Sequence, residues 1–294
     1  MSRILNRRQR YALFKFFALL SLVRWYNIFI IIGAQYLASV FMLNPEVPWL
    51  EVVLDPYLFI VALSTGFIVA SGFIINAFYD LERDVINKPQ EVVINRLLSQ
   101  QTGLNFYFLF NTIGMILSFY VSKKVMLFNF LFSIALWFYS HKLKKMGFLG
   151  NISAVSLTVA PFLVIVVYYE DINPAIFFYV AFIALVQLIR ELVKDVMAQK
   201  GDVIYGYKSV PLDYGLDKSK RLIYTLAVML PLPPVALYMI YDFNNVVYYF
   251  VAAFIALSAV VFLTYKARGK NDFSKINTLL KGVIAAGILS ISLV

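Results

Sequence analysis

The residues best equipped for chemistry lie in NAFYDLERD, residues 76 to 84, where Asn76, Asp80 and Asp84 recur at every fourth position. Four α-helical residues turn 400°, so these side chains drift by about 40° per step and stack about 6 Å apart along one face. A second set repeats the pattern. Glu191 and Asp195 are four apart, Gln187 precedes them by a turn, Arg190 and Lys194 share the adjacent stripe, and Asp202 follows in what reads as a loop. Carboxylates that work without His or Cys favour hard cations, and Mg2+ typically takes one or two protein carboxylates plus oxygens of a substrate phosphate. The spacing therefore predicts a Mg2+–diphosphate cradle. Asp80 and Asp84 are assigned to it because ionisable groups near membrane depth are costly and mark functional sites. Glu82 and Arg83 read as interfacial residues.

The acids close long apolar runs: residues 57–75, YLFIVALSTGFIVASGFII, contain no charge. With 62% hydrophobic and 14% charged residues in 294, the chain lies far from soluble domains, where about a quarter of residues are charged. Stretches near the ~20 apolar residues needed to cross a bilayer occur at 14–43, 57–82, 103–121, 124–141, 149–169, 174–199, 222–241, 245–265 and 274–294. The expected fold is all-α, a polytopic membrane protein of nine helices. The opening MSRILNRRQRYALFKFFALLSL reads as a retained first helix, since the apolar run continues past Arg24 to Met42 with no small-residue cleavage site. The longest connections, 84–102 and 200–218, each follow an acid-bearing helix end, and loops of that length usually work as lids or binding segments. PLPP at 231–234 should kink or break the seventh helix.

Several function classes are excluded. There is no cysteine for disulfides, thiolate metal sites or nucleophiles, a single histidine, His141, and no G-x-x-x-x-G-K-[ST] run. The net charge of +10 does not signal nucleic acid here, because Lys and Arg gather in alternate connections. The N-terminal tail, 83–96, 141–145, 190–221 and 266–275 are basic, while 44–56, 170–173 and 242–244 carry neither residue. By the positive-inside rule the N-terminus and the acid-bearing loops face the cytoplasm and the C-terminus lies outside; the expected location is the cell (inner) membrane. Only Lys123 and Lys124 break the alternation.

NAFYDLERDVINKP fits N-x-x-x-D-x-x-x-D followed by N-K-P, which resembles the first motif of the UbiA-type intramembrane prenyltransferases. RELVKD (190–195), GD (201–202) and GYKSVP (206–211) are similar to the second-motif region, and the R-E-x-x-K-D form most resembles the digeranylgeranylglyceryl phosphate synthase branch. RWYN (24–27) and YSHKLKKMGFLGN (139–151) are weaker echoes, so the resemblance covers nearly the whole chain, residues 1–294, as one transmembrane domain. It implies a helix bundle around a central cavity and Mg2+ held by Asn76, Asp80 and Asp84 on one side and Glu191, Asp195 and Asp202 on the other. Asp80, Asp84, Asp195 and Asp202 would act directly in catalysis. Arg24, Asn27, Lys88, Tyr139, Lys144, Arg190, Lys194 and Lys208 would bind substrate. The implied reaction is Mg2+-dependent prenyl transfer from a polyprenyl diphosphate to a lipophilic acceptor, foremost a (geranylgeranyl)glyceryl phosphate-type lipid, and second an aromatic acid or quinone precursor. No obligatory protein partner is implied beyond membrane lipids.

The chain departs from the family pattern in two places. Glu91 and Arg96 stand where arginine and glycine are usual, and Met197, Ala198 and Lys200 replace three acids, so on the second side Glu191, Asp195 and Asp202 must suffice or a nearby lysine must replace part of the metal's work. The rival class is a transporter or non-catalytic lipid-binding scaffold. Relay acids would lie toward the midplane, whereas these gather at one rim.

Overall fold

The computed structural model describes residues 6–87, 89, 99–240 and 245–294; Lys88, Glu91 and Arg96 lie outside that set. In chain order the helices are α1 (Arg7–Leu22), α2 (Trp25–Ala38), α3 (Trp49–Val53), α4 (Pro56–Asn87), α5 (Gln100–Val121), α6 (Lys123–His141), α7 (Phe148–Tyr169), α8 (Pro174–Ile204), α9 (Val210–Tyr214), α10 (Leu216–Met229), α11 (Leu232–Ile240), α12 (Val246–Lys266) and α13 (Lys270–Leu289). Among the described residues no strand occurs, only an isolated bridge between Met146 and Lys208.

Among the described residues eight segments, against the nine expected, are long and apolar enough to cross a membrane by length and composition. The fourth expected span does form a helix, α6, but Lys123, Lys124, Asn129 and His141 dilute its apolar character. The first expected span is not continuous. It breaks between α1 and α2 at Arg24, whose φ of 50° is left-handed, a conformation that costs about 1–2 kcal/mol for a residue with a Cβ. The bend seats Val23 in a cluster with Ala70 and Ile74 and sets the Arg24 guanidinium 5.3 Å from the Phe73 ring centre. The expected break at PLPP occurs between α10 and α11.

Two helices exceed the bilayer. α4 has 32 residues and α8 has 31, which is about 45–50 Å of helix against a hydrocarbon core of about 30 Å. Their last turns therefore emerge from the apolar layer while remaining helical, so much of the expected 200–218 loop is in fact the end of α8 plus the short helix α9.

α4 can run through the middle of the bundle because its sequence is small and self-satisfying. A Cβ on Gly72 would lie 2.8 Å from Leu136, and one on Gly114 2.7 Å from Ile68, so these glycines set how closely α4 meets α6 and α5. The buried hydroxyls of Ser64, Thr65 and Ser71 donate back to the carbonyls of Val61, Val61 and Ile68 at 2.7–2.9 Å, which removes the cost of burying them. Across helices, Asn129 donates to Ser118 at 2.8 Å and Gln35 donates to the Pro161 carbonyl at 2.6 Å. The outward faces carry exposed Phe29, Ile116, Tyr120 and Tyr248, as expected where lipid is the solvent.

Candidate functional site

The emergent ends of α4 and α8 meet, and the acids meet with them. Asp80 is the hub: it is buried, accepts from Asn76 at 3.0 Å and from the Tyr207 hydroxyl at 3.4 Å, and forms an ion pair with Lys144. Lys144 also donates to Asn76 at 2.9 Å. Asn76 and Asp80 thus touch as their four-residue spacing predicts. Asp84, half-buried one turn on, lies within electrostatic reach of Lys144.

On α8 each carboxylate has its own partner. Glu191 accepts from Lys194 at 2.6 Å and from Gln187 at 2.8 Å, Asp195 accepts from Asn151 at 2.8 Å, and Asp202 pairs with Arg83 at 2.6 Å. Among the described residues no three acids converge closely enough to hold a metal ion by themselves. The expected six-ligand set is therefore two facing rows, in which Asp80, Glu191, Asp195 and Asp202 are each matched by an amide or a cation.

Lys144 reaches the site because of its turn. α6 ends at His141, a 3-10 turn covers Leu143–Lys145, and Gly147 takes φ 62° and ψ −129° to start α7, a region open essentially to glycine. The Lys208 amide donates to the Lys145 carbonyl at 3.2 Å, so this turn and the segment after α8 brace each other above the acids. Burial pushes the Lys144 ammonium down from the ordinary lysine range, with Asp80 opposing. Burial and then Asp80 push the Tyr207 phenol up, so it stays protonated as the donor to Asp80.

The other expected contacts divide. Tyr139 lies within electrostatic range of Glu191, Asp80, Asp195 and Arg83, between the two rows. Arg190 donates to Asn277 at 3.0 Å and to Gln187 at 3.1 Å, and Arg24 is close enough to repel it. Asn27 is half-buried, and its backbone N–H donates to the Arg24 carbonyl at 2.8 Å. The Lys208 side chain is exposed, and its backbone amide makes the contact to Lys145.

Arg83 sharpens the sequence reading. It is paired rather than solvated: its side chain is 14% exposed, bound to Asp202, and its guanidinium carbon lies 4.6 Å from the Tyr207 ring centre. An arginine three residues after Asp80 faces the same side, a signal that the strong acid spacing masked. Tyr207 and Asn151 also join the site, bonded to Asp80 and Asp195, and both fall within the motif stretches.

The two helix ends are also clamped directly. The Gly201 amide donates to the Asn87 side-chain oxygen at 3.0 Å, and a Cβ on Gly201 would lie 2.5 Å from the same amide group. Gly201→Ala in an open helix would stabilise by about 1 kcal/mol. Here it should instead destabilise by about 1–3 kcal/mol through loss of the Asn87 bond, seen as a lower thermal unfolding midpoint in detergent. An Asn87→Ala background should restore the ordinary sign.

The sequence profile of the UbiA prenyltransferase family matches residues 32–280. Digeranylgeranylglyceryl phosphate synthase of Saccharolobus solfataricus is 27% identical over 240 residues, 78% of this chain and 81% of that one. Its counterpart in Methanobrevibacter smithii is 25% identical over 284 residues, 91% and 93% of the two chains. A solved structure described as digeranylgeranylglyceryl phosphate synthase in membranes superposes with a TM-score of 0.70 at 24% identity, over 95% of this chain and 97% of that one. A UbiA homologue from Archaeoglobus fulgidus bound to GPP and Mg2+ superposes with a TM-score of 0.65 at 17% identity, over 94% and 99%. The residues matched by the profile, 32–280, include both acid-bearing helix ends.

Proposed function

Because the chain belongs to the UbiA prenyltransferase family, we propose that it transfers a prenyl group from a polyprenyl diphosphate to the free hydroxyl of a (geranylgeranyl)glyceryl phosphate-type lipid. In this reaction the allylic C–O bond to diphosphate breaks, the acceptor oxygen bonds to the allylic carbon, and the hydroxyl proton leaves with the diphosphate. The observation that carries the reading is the meeting of the α4 row, the α8 row and the buried cations Lys144 and Arg83 at one end of the bundle. The names of the similar synthases favour the glyceryl phosphate acceptor. The GPP and Mg2+ bound to the Archaeoglobus fulgidus homologue favour the diphosphate donor and the metal.

The donor set suits Mg2+. Its atoms are all oxygens, from Asn76, Asp80 and Asp84 on α4 and from Glu191, Asp195 and Asp202 on α8, and neither row is a complete cage. Mg2+ commonly keeps waters and borrows phosphate oxygens from its substrate. When bound, it neutralises charge growing on the leaving diphosphate. Lys144 adds a buried ammonium to the same oxygens, where charge-assisted hydrogen bonds are strong, and Arg24, Arg190 and Lys194 line the approach. Tyr139, between the rows, offers an aromatic face to the allylic cation. The acceptor's own phosphate needs a second cationic patch, and Lys142 and Lys145 in the α6–α7 turn supply one; Lys145 lies 5.4 Å from the Tyr207 ring centre. By the alternation of basic connections, this end of the bundle is cytoplasmic.

The test is incubation of the purified protein with Mg2+, allylic diphosphates of several lengths, and either a geranylgeranylglyceryl phosphate or an aromatic acid, with products read by mass spectrometry. Prenylated glyceryl phosphate lipid is expected, and chelation should remove it. Product formed only from the aromatic acid would overturn the acceptor. Retained diphosphate binding with no product from any pair would favour a non-catalytic scaffold.

A further inference from the structure

Asp202 stands among the acids assigned to the metal, yet its carboxylate is already engaged. Arg83 Nε donates to Asp202 Oδ1 at 2.6 Å, with the two side chains 14% and 2% exposed. Burying a guanidinium is costly unless its charge is matched, and Asp202 together with the Tyr207 ring at 4.6 Å provides the match. This ion pair spans α4 and α8, the two helices that carry the acid rows. It uses one nitrogen of the guanidinium fork. Among the described residues, neither Nη of Arg83 has a hydrogen-bond acceptor. The unclaimed edge belongs to a side chain within electrostatic range of Asp80, Lys144 and Tyr139, among the groups assigned above to the diphosphate. Two parallel N–H donors on a rigid plane match two phosphate oxygens, the geometry in which arginine outperforms lysine.

We propose that Arg83 is a diphosphate-binding residue: held by Asp202 through Nε, it presents its two Nη groups to the diphosphate, so that on the α8 side a guanidinium supplies charge that would otherwise need a metal ion. The inference rests on the prenyl diphosphate reading above. It also accounts for the sparse acids of this side, where Met197, Ala198 and Lys200 follow Asp195 within the same helix. A chain-borne cation at Asp202 leaves fewer negative charges for metal ions to balance.

The experiment measures binding of a non-reacting thio-analogue of geranylgeranyl diphosphate to the full-length protein in detergent by calorimetry, with EDTA and across a Mg2+ titration. Wild type should bind the analogue measurably in EDTA. Arg83→Met should weaken that binding at least tenfold and shift the Mg2+ titration to higher concentration, while Arg83→Lys should recover only part of it. Arg83→Met leaves Asp202 buried without its partner, so the double variant Arg83→Met/Asp202→Asn, which removes both charges, separates folding from binding. If Arg83 binds the diphosphate, the double variant should regain the thermal midpoint but not the affinity. Recovery of affinity in the double variant, or unchanged affinity in Arg83→Met, would show that Arg83 serves only the Asp202 ion pair and overturn the proposal. A wild type that binds no analogue with or without Mg2+ would overturn the prenyl diphosphate reading and this inference together.

Discussion

Asp80→Asn should lower the prenyl-transfer rate by about a thousandfold or more, equivalent to ~4 kcal/mol of barrier. Asp80 is the acid on which Asn76, Lys144 and Tyr207 all converge, so neutralising it removes the metal-side charge and the anchor that aims the buried ammonium. The same change leaves the Lys144 ammonium without its carboxylate partner. Breaking such a pair from one side typically costs about 3–5 kcal/mol of stability, and a lost rate could then reflect a lost fold. Asp80→Asn/Lys144→Met separates the two effects, because both charges go: its thermal midpoint should return toward wild type while its rate stays low. A single variant that is folded and retains a rate within a few-fold of wild type would remove Asp80 from the leaving-group site.

Lys144→Met should cost about a hundredfold in kcat/KM, the size seen when one fixed donor to a developing anion is removed. Its signature in pH is more specific. Burial, only partly offset by Asp80, holds the Lys144 ammonium below the ordinary lysine range. The charged form proposed to assist the leaving diphosphate is therefore lost, as pH rises, sooner than from an exposed lysine, and the alkaline limb of the rate profile should fall early. Lys144→Arg keeps its proton throughout the accessible range, so it should move that limb to higher pH even if its maximal rate is lower. An alkaline limb that stays in place in Lys144→Arg would mean another group controls it.

Much of the fold was legible because its signals are local. Apolar length marks a span wherever it occurs, and α4, α5, α7, α8, α12 and α13 fall close to the expected boundaries. The break after α10 followed from proline, whose missing donor and ring clash act on its own turn. The break at Arg24 was not legible, since no glycine or proline marks it; the left-handed turn is held by Val23 packing on Ala70 and Ile74. The span count differs for a similar reason: α6 carries enough polar residues to weaken its apolar signal, and Asn129 finds its partner, Ser118, on another helix.

At the site, the sequence by itself determined the two acid rows, because a four-residue repeat on a helix aligns side chains whatever surrounds them, and it placed Lys144 and Tyr139 in the motif stretches. Which carboxylate meets which cation was decided only by the tertiary structure. Lys144 joins Asp80 across 64 residues and Arg83 joins Asp202 across 119, and nothing in local periodicity encodes a pairing made between helix ends. That is why Arg83 reads as an interfacial residue in the sequence and stands at the centre of the site in the fold. The length of α4 and α8 beyond the bilayer brings their ends together, and the cost of burying charge then requires each acid to find its own partner.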